Sequence, residues 1–363
     1  MFSVYNGYRK VETNGKETYF AGANTADGFA GTYSDTADER ELDRVYIIKG
    51  AAGTGKSTFM RRTAELCESE GYRVQYFLCG SDPFSLDCIV IDGRIAVLDG
   101  TSPHIRDMQY PGCASSVVDL SKFWDNAVLE KRREEIILSS AKKAAEYACA
   151  YRCLKNADLY DSERYIGARE LFDFDKADSF IERFLRKYKI KSGTGGKLTE
   201  RFSHALTMRG RWYIDLSEKR GIDIYTVTDT KAIAPLFLEL LKAKAERYSL
   251  SATVYEMPVR RNITAVEFVQ YGFAVVAGVT GENAKEINLK RFELVEERGT
   301  VAGRIKLAGR CEKEALDETE NILKSAASYH FVLEEIYKST MDFERLGEYN
   351  RVVSEEILAR LKK

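Results

Sequence analysis

The chain has 363 residues, with 55 Lys or Arg against 56 Asp or Glu, for a net charge of −1. Hydrophobic residues make up 44% and charged residues 31%, a balance that suits a globular protein with a real core and room for two domains. Neutrality gives no global field for nucleic acid or anionic lipid, and no run approaches the roughly 18 apolar residues of a membrane helix.

Residues 1–15 read as a loose start. Thr18–Asn24 reads as a strand, followed by a Gly/Ala/Thr-rich loop through Gly31. A charged turn, Asp35–Asp43, leads into Val45–Ile48, the short apolar run of a buried parallel strand. Lys49–Thr58 then carries Gly50, Gly55, Lys56 and Ser57 at the spacing G-x-x-x-x-G-K-[ST]. Glycines let the backbone curl so that successive N–H groups point at phosphate oxygens, and the helix that follows presents its positive end. The expected nucleotide ligands are Gly50, Ala51, Ala52, Gly53, Thr54, Gly55, Lys56, Ser57 and Thr58. Lys56 is the expected catalytic cation on the β- and γ-phosphates, and Ser57 an expected Mg²⁺ ligand. Ser57–Glu70 continues as a helix, with Phe59, Met60, Thr63, Ala64 and Cys67 at helical spacing; Gly71 ends it and Tyr72–Cys79 reads as the next strand. Strand, glycine loop, helix and strand form the context that this motif requires.

Cys88–Ile91 and Arg94–Leu98 are apolar β-type runs joined by Asp92-Gly93, a hairpin signal. The second run ends in Asp99, the expected second Mg²⁺ residue on a strand beside the loop strand. Gly100 follows it, where many motor-type ATPases carry a water-orienting Glu. Asp82, in Cys79-Gly-Ser-Asp82-Pro83, is the first candidate to replace that group, although Asp before Pro is also an ordinary turn former. Asp87 and His104 are alternatives; His104 could contact phosphate or a substrate, but reads foremost as a loop histidine bonded to backbone. Arg106 is a candidate cation for the leaving phosphate. No Asn-Lys-x-Asp element for guanine is present, so ATP is expected rather than GTP.

From Leu120 the character changes. Val128, Leu129, Ile136, Ile137, Ala141, Ala144, Ala148, Tyr151 and Leu154 recur at three- and four-residue steps, predicting a long amphipathic helix. A second helix is expected over Lys176–Lys189. Arg186–Lys191 with Lys197 is the best basic and aromatic patch, and reads foremost as a solvated helix end. Ser192–Gly196 is the expected joint between domains. Beyond residue 200 the pattern repeats in outline: β runs at Ile224–Val227, Ala252–Met257 and Phe273–Val276, and a helix at Leu236–Ala245. A shift of 179 residues aligns this stretch with the first without a gap. It sets Asp229–Leu236 opposite Gly50–Ser57, with Pro235 at the place of Lys56, so the second unit is expected to have lost its site. Two α/β units built by the same rules would also look alike. Arg260 and Arg261 are candidate fingers reaching across the two units. A last amphipathic helix is expected around Glu312–Lys338. Seven cysteines without a C-x-x-C pair predict reduced thiols, no zinc site and a cytoplasmic protein.

Phe20–Phe29, Lys49–Thr58, Cys79–Asp87, Asp99–His104 and Tyr337–Phe343 together resemble an uncharacterised family of bacterial ATPase-like proteins, mostly from Firmicutes, with two tandem P-loop units. Family members often show Gly-Pro where Ala51-Ala52 stand here, and often keep a second phosphate loop that this chain lacks. The resemblance implies ATP binding and names no substrate.

The expected fold is α/β: a P-loop NTPase-type parallel sheet with flanking helices, duplicated in tandem, with helical extensions. Residues 1–119 form the P-loop domain, 120–197 a helical extension and joint, and 198–363 a degenerate second domain. The expected function is Mg²⁺-ATP binding with slow or partner-stimulated hydrolysis at one site. Rivals are a kinase passing the γ-phosphate to a small molecule, with Asp82 as base, and a non-catalytic nucleotide-sensing module that holds a protein partner.

Overall fold

A computed structural model describes residues 7–102, 105–190, 193, 195–219, 221–228, 231–278, 284–295 and 299–363. Strands β1 (Arg9–Lys10) and β2 (Glu17–Phe20) open the chain, followed by the hairpin β3 (Gly22–Thr25) and β4 (Gly28–Gly31) and a short helix α1 (Tyr33–Thr36). Then come β5 (Arg44–Lys49), α2 (Lys56–Ser69), β6 (Val74–Leu78), β7 (Leu86–Ile91), β8 (Ile95–Asp99) and β9 (Ser115–Asp119). Three helices follow: α3 (Asn126–Lys131), α4 (Arg133–Glu170) and α5 (Phe174–Lys187). The second half runs β10 (Leu198–Phe202), β11 (His204–Thr207), β12 (Gly210–Tyr213), β13 (Asp223–Thr228), α6 (Ala234–Arg247), β14 (Ala252–Glu256), β15 (Ile263–Phe268), β16 (Phe273–Ala277) and β17 (Lys285–Asn288). It closes with α7 (Thr300–Lys338) and α8 (Phe343–Leu361).

Among the described residues twelve strands form one mixed, mostly parallel sheet, in the order β17-β13-β16-β15-β14-β10-β2-β6-β7-β8-β5-β9. Within each half only the hairpin strand, β7 or β15, runs against its neighbours. The halves meet at β2 and β10, antiparallel, with Phe20 opposite Phe202. Read outward from that pair, the strands of both halves follow one pattern of pairing and direction. Strands β5, β7, β8, β15 and β16 are buried along almost their whole length, as expected of apolar runs covered on both faces. The Asp92-Gly93 turn joins β7 and β8 as anticipated; both residues take positive φ, and with Arg94 they make a three-residue connection between the paired Ile91 and Ile95. Helix α2 buries Phe59, Met60, Thr63, Ala64 and Cys67, the five residues its spacing pointed to.

Two expectations change. Thr18–Asn24 is two strands, because the Ala21 carbonyl is taken by the Thr32 N–H and the chain leaves the sheet to form the β3–β4 hairpin. The long helix expected from Val128 is broken into α3 and α4, of which α4 alone has 38 residues, about 57 Å at 1.5 Å per residue, while α5 is the second helix expected over Lys176–Lys189.

The long helices α4 and α7 pack along each other, and each carries its terminal helix to the opposite half: α8 lies on α2, and α5 on α6. The exchange is pinned by matched hydrogen bonds. Asp342 N–H donates to the Phe123 carbonyl at 2.7 Å, and Asp173 N–H to the Phe292 carbonyl at 2.8 Å. Asp342 and Asp173 each then cap the helix that follows, accepting from Arg345 N–H and Lys176 N–H. The main core joins both halves, with Phe202, Tyr255, Val353 and Ile357 in one cluster with Phe59 and Ile47. Among the described residues no helix is long and apolar enough to cross a membrane.

Candidate functional site

Strand β5 delivers the chain to the glycine loop, and α2 begins at Lys56. Gly53 and Gly55 both have positive φ, at 75° and 91°. A Cβ on Gly53 would stand 2.5 Å from the Glu334 carbonyl oxygen of α7, so only glycine fits between loop and helix. Gly55 precedes α2 without a side-chain cap, which leaves the first-turn N–H groups for a ligand. Thr54 Oγ1 donates to the Ala51 carbonyl at 2.8 Å and Lys56 Nζ to the same carbonyl at 2.6 Å, closing the loop on itself.

Strand β8 lies parallel to β5 with Asp99 opposite Ile48, as expected. Asp99 Oδ2 stands 3.5 Å from Lys56 Nζ, and its Oδ1 accepts from Thr101 N–H and Oγ1 at 2.9 and 2.5 Å. Ser57 Oγ accepts from Leu86 N–H at 2.9 Å and ties α2 to β7. A hydroxyl and a carboxylate are hard oxygen donors of the kind Mg²⁺ takes with phosphate oxygens and water. Among the described residues no group of three His, Cys, Asp or Glu could hold a metal by itself, so a cation here depends on those phosphate oxygens. The loop and this donor pair fit a Mg²⁺-bound phosphate chain.

Three further groups surround the loop, and the sequence reading missed all of them. Lys143 comes from α4; burial and the charge of Lys56 lower its pKa. Among the described residues no carboxylate or hydrogen bond holds it. His330 comes from α7, one turn before Glu334. Burial first, and then Lys143, push its pKa down to about 4, while Asp82 opposes them. Arg209 comes from the β11–β12 turn, which is anchored by Met208 N–H on the Ser81 carbonyl at 2.9 Å. Its Nε donates to Asp82 Oδ1 at 2.9 Å, and its guanidinium lies 5.4 Å from the Phe84 ring and 5.0 Å from the Phe331 ring.

The remaining candidates divide. Asp82 sits at this site, but its Oδ1 accepts from Phe84 N–H at 3.0 Å as well as from Arg209, so it holds a turn and a cation. Asp87 is buried and accepts from Tyr33 Oη at 2.9 Å. His104 lies outside the described residues. Arg106 gives its guanidinium to the Tyr33 and Ala37 carbonyls at 2.8 and 2.6 Å and is not turned to the loop. Arg260 and Arg261 belong to the other half: Arg260 stacks at 3.3 Å on Tyr165, and Arg261 binds Glu256 and Glu200 at 2.5 and 2.9 Å. Arg209 is a second-half cation that reaches Asp82. In the basic patch Arg186, Lys187 and Lys189 are exposed at the end of α5, as a solvated helix end would be, with Lys187 on Tyr225 Oη at 2.9 Å, and Lys197 pairs with Glu41 at 2.9 Å. The seven cysteines are free thiols.

In the second half the loop is one residue shorter than the gapless alignment supposed. Strand β13 stands 179 positions after β5, but α6 starts 178 after α2. Ala234 therefore takes the place of Lys56 and Pro235 that of Ser57, while Ala277 ends β16 where Asp99 ends β8. Asp229 and Thr230 of that alignment lie outside the described residues. No protein-family model, curated protein or solved structure matches the chain.

Proposed function

We propose that the chain is a P-loop ATPase that binds one Mg²⁺-ATP at Gly50–Thr58 and hydrolyses it slowly or on stimulation by a partner. The observation that carries this reading is Lys143, a partly buried cation beside Lys56 with no carboxylate to pair it among the described residues. A half-buried lysine without a counter-charge costs stability unless an anion joins it, and a triphosphate on the glycine loop is that anion. Lys56 and the loop amides would stabilise charge on the transferred phosphoryl group. Ser57 and Asp99 would hold Mg²⁺, whose charge offsets that of the phosphates. Arg209, stacked between two rings, would add positive charge from the second half of the chain.

Asp82 is the base that the kinase reading requires. Its bonds to Arg209 and Phe84 N–H favour hydrolysis over transfer to an acceptor hydroxyl. The two halves are read as tandem copies: their strands pair in one order, and their helical arms are exchanged through matched bonds. Ala234 and Ala277 in place of Lys56 and Asp99 leave one competent nucleotide site. Phosphate release from ATP by the wild type, Lys56→Ala and Asp99→Asn tests the proposal. Turnover that is abolished in both variants supports it; turnover that persists in Lys56→Ala overturns it.

A further inference from the structure

The place in the second half that corresponds to the nucleotide site is a cavity of about 350 Å³. It exists partly because Ala234 and Ala277 are short where the first half has Lys56 and Asp99. Its chemistry is the reverse of a phosphate site. Asp161 and Glu312, only 6% and 7% exposed, face each other across one guanidinium, that of Arg164. Asp161 also accepts from Asn262 Nδ2 at 2.6 Å, whereas among the described residues Glu312 is held by Arg164 alone. Two buried carboxylates thus share one guanidinium at contact distance, with Arg260 acting on Asp161 as a further positive charge. Burial, reinforced by Asp161, accordingly pushes the Glu312 carboxyl up to about 7.

A second observation points to a ligand. The Tyr8 hydroxyl is buried at the cavity wall and has no hydrogen-bond partner among the described residues. Buried hydroxyls are seldom left so. At the outer rim Lys306 and Arg310 are exposed on α7. Arg211 and Lys313 also reach the wall, but both are paired with Asp317. The cavity thus has an acidic floor, apolar sides that include Met257 and Leu316, and a basic rim. Nucleotide phosphate is excluded from the floor by the two carboxylates, and Pro235 removes an amide from the first turn of α6. A metal ion is disfavoured because, among the described residues, no third ligand joins Asp161 and Glu312.

We propose that this cavity binds a small zwitterion of amino-acid type, its ammonium on Asp161 and Glu312, its carboxylate toward Lys306 and Arg310, and its side chain against the apolar wall. The site is independent of ATP binding in the first half. The twenty free amino acids, titrated singly up to about 10 mM by calorimetry and thermal shift, provide the test. At least one amino acid with an apolar or aromatic side chain is expected to bind. Its N-acetyl and methyl-ester forms are expected to bind at least about tenfold more weakly. Glu312→Gln should weaken binding by a similar factor while Lys56→Ala leaves it intact. Ala277→Met, which fills the cavity without touching a charge, should also abolish it and serves if Glu312→Gln does not fold. Absence of binding by every amino acid overturns the proposal. So does equal binding of the N-acetyl form, or binding that survives Ala277→Met. Loss of ATP turnover alone, with amino-acid binding retained, bears only on the nucleotide reading.

Discussion

The proposed phosphate site rests most heavily on Lys143. Its charge stands beside Lys56 without a carboxylate among the described residues, so Lys143→Ala is expected to leave stability unchanged or slightly raised. ATP affinity should fall about tenfold, measured by calorimetry. Equal loss of stability and affinity would make Lys143 a packing residue instead. His330 and Glu312 give the pH dependence. The folded pKa of His330, about 4, lies below its unfolded value of 6.5. Its contribution to stability is therefore complete above pH 6.5 and lost as pH falls toward 4. Glu312 runs the other way: raised from 4.5 to about 7, it contributes fully below pH 4.5 and loses that contribution as pH rises through 7. Between pH 5 and 7.5 the two groups oppose each other, so in His330→Asn the urea midpoint at pH 7.5 should fall relative to that at pH 5; a difference unchanged from the wild type would rule out His330 as a source.

Residue by residue, legibility followed distance along the chain. Gly50–Thr58 and Asp99 were readable because glycine spacing and a strand ending in carboxylate are local patterns. Lys143, Arg209 and His330 carry no such pattern. Each is an ordinary residue of a helix or turn until α4, α7 and the β11–β12 hairpin bring it to the loop. Arginines near the motif in sequence, such as Arg106, proved to be committed to backbone carbonyls. Arg260 and Arg261, first named as fingers, are paired with Tyr165, Glu256 and Glu200, and the proposal gives that role to Arg209 instead.

At the scale of elements, α5 and α8 decide the architecture. Each finishes one half in sequence and covers the other in space. The sequence predicted a helix over Lys176–Lys189 but none over Phe343–Leu361, and periodicity in any case names no partner for an apolar face. Helix α8 seals α2: Ile357 is fully buried in the core with Phe59, and Ser354 Oγ stands 2.8 Å from Thr63 Oγ1. Ile357→Ala should destabilise the protein by about 2–5 kcal/mol in urea unfolding. Because α8 packs on the helix of the glycine loop, ATP should oppose that loss; the same midpoint with and without ATP would show that α8 and the loop are uncoupled.

At the scale of the molecule, one sheet and two exchanged arms make separable domains an incomplete description. Residues 1–119 and 198–363 share the β2–β10 pair and a single main core. Expressed separately, residues 1–190 and 197–363 would each lack the helix that covers their own sheet. Neither is expected to fold alone, and mixing them should restore structure, followed by circular dichroism. Independent folding of either piece would contradict the role given to the exchange.

The central claim is that one glycine loop, roofed by the other half of the chain, is the only nucleotide site. Calorimetric titration of the intact protein with ATP and Mg²⁺ measures it directly. The account predicts about one ATP per chain, lost in Lys56→Ala and kept in Ala234→Ser. Two ATP per chain, or undiminished binding by Lys56→Ala, would contradict it.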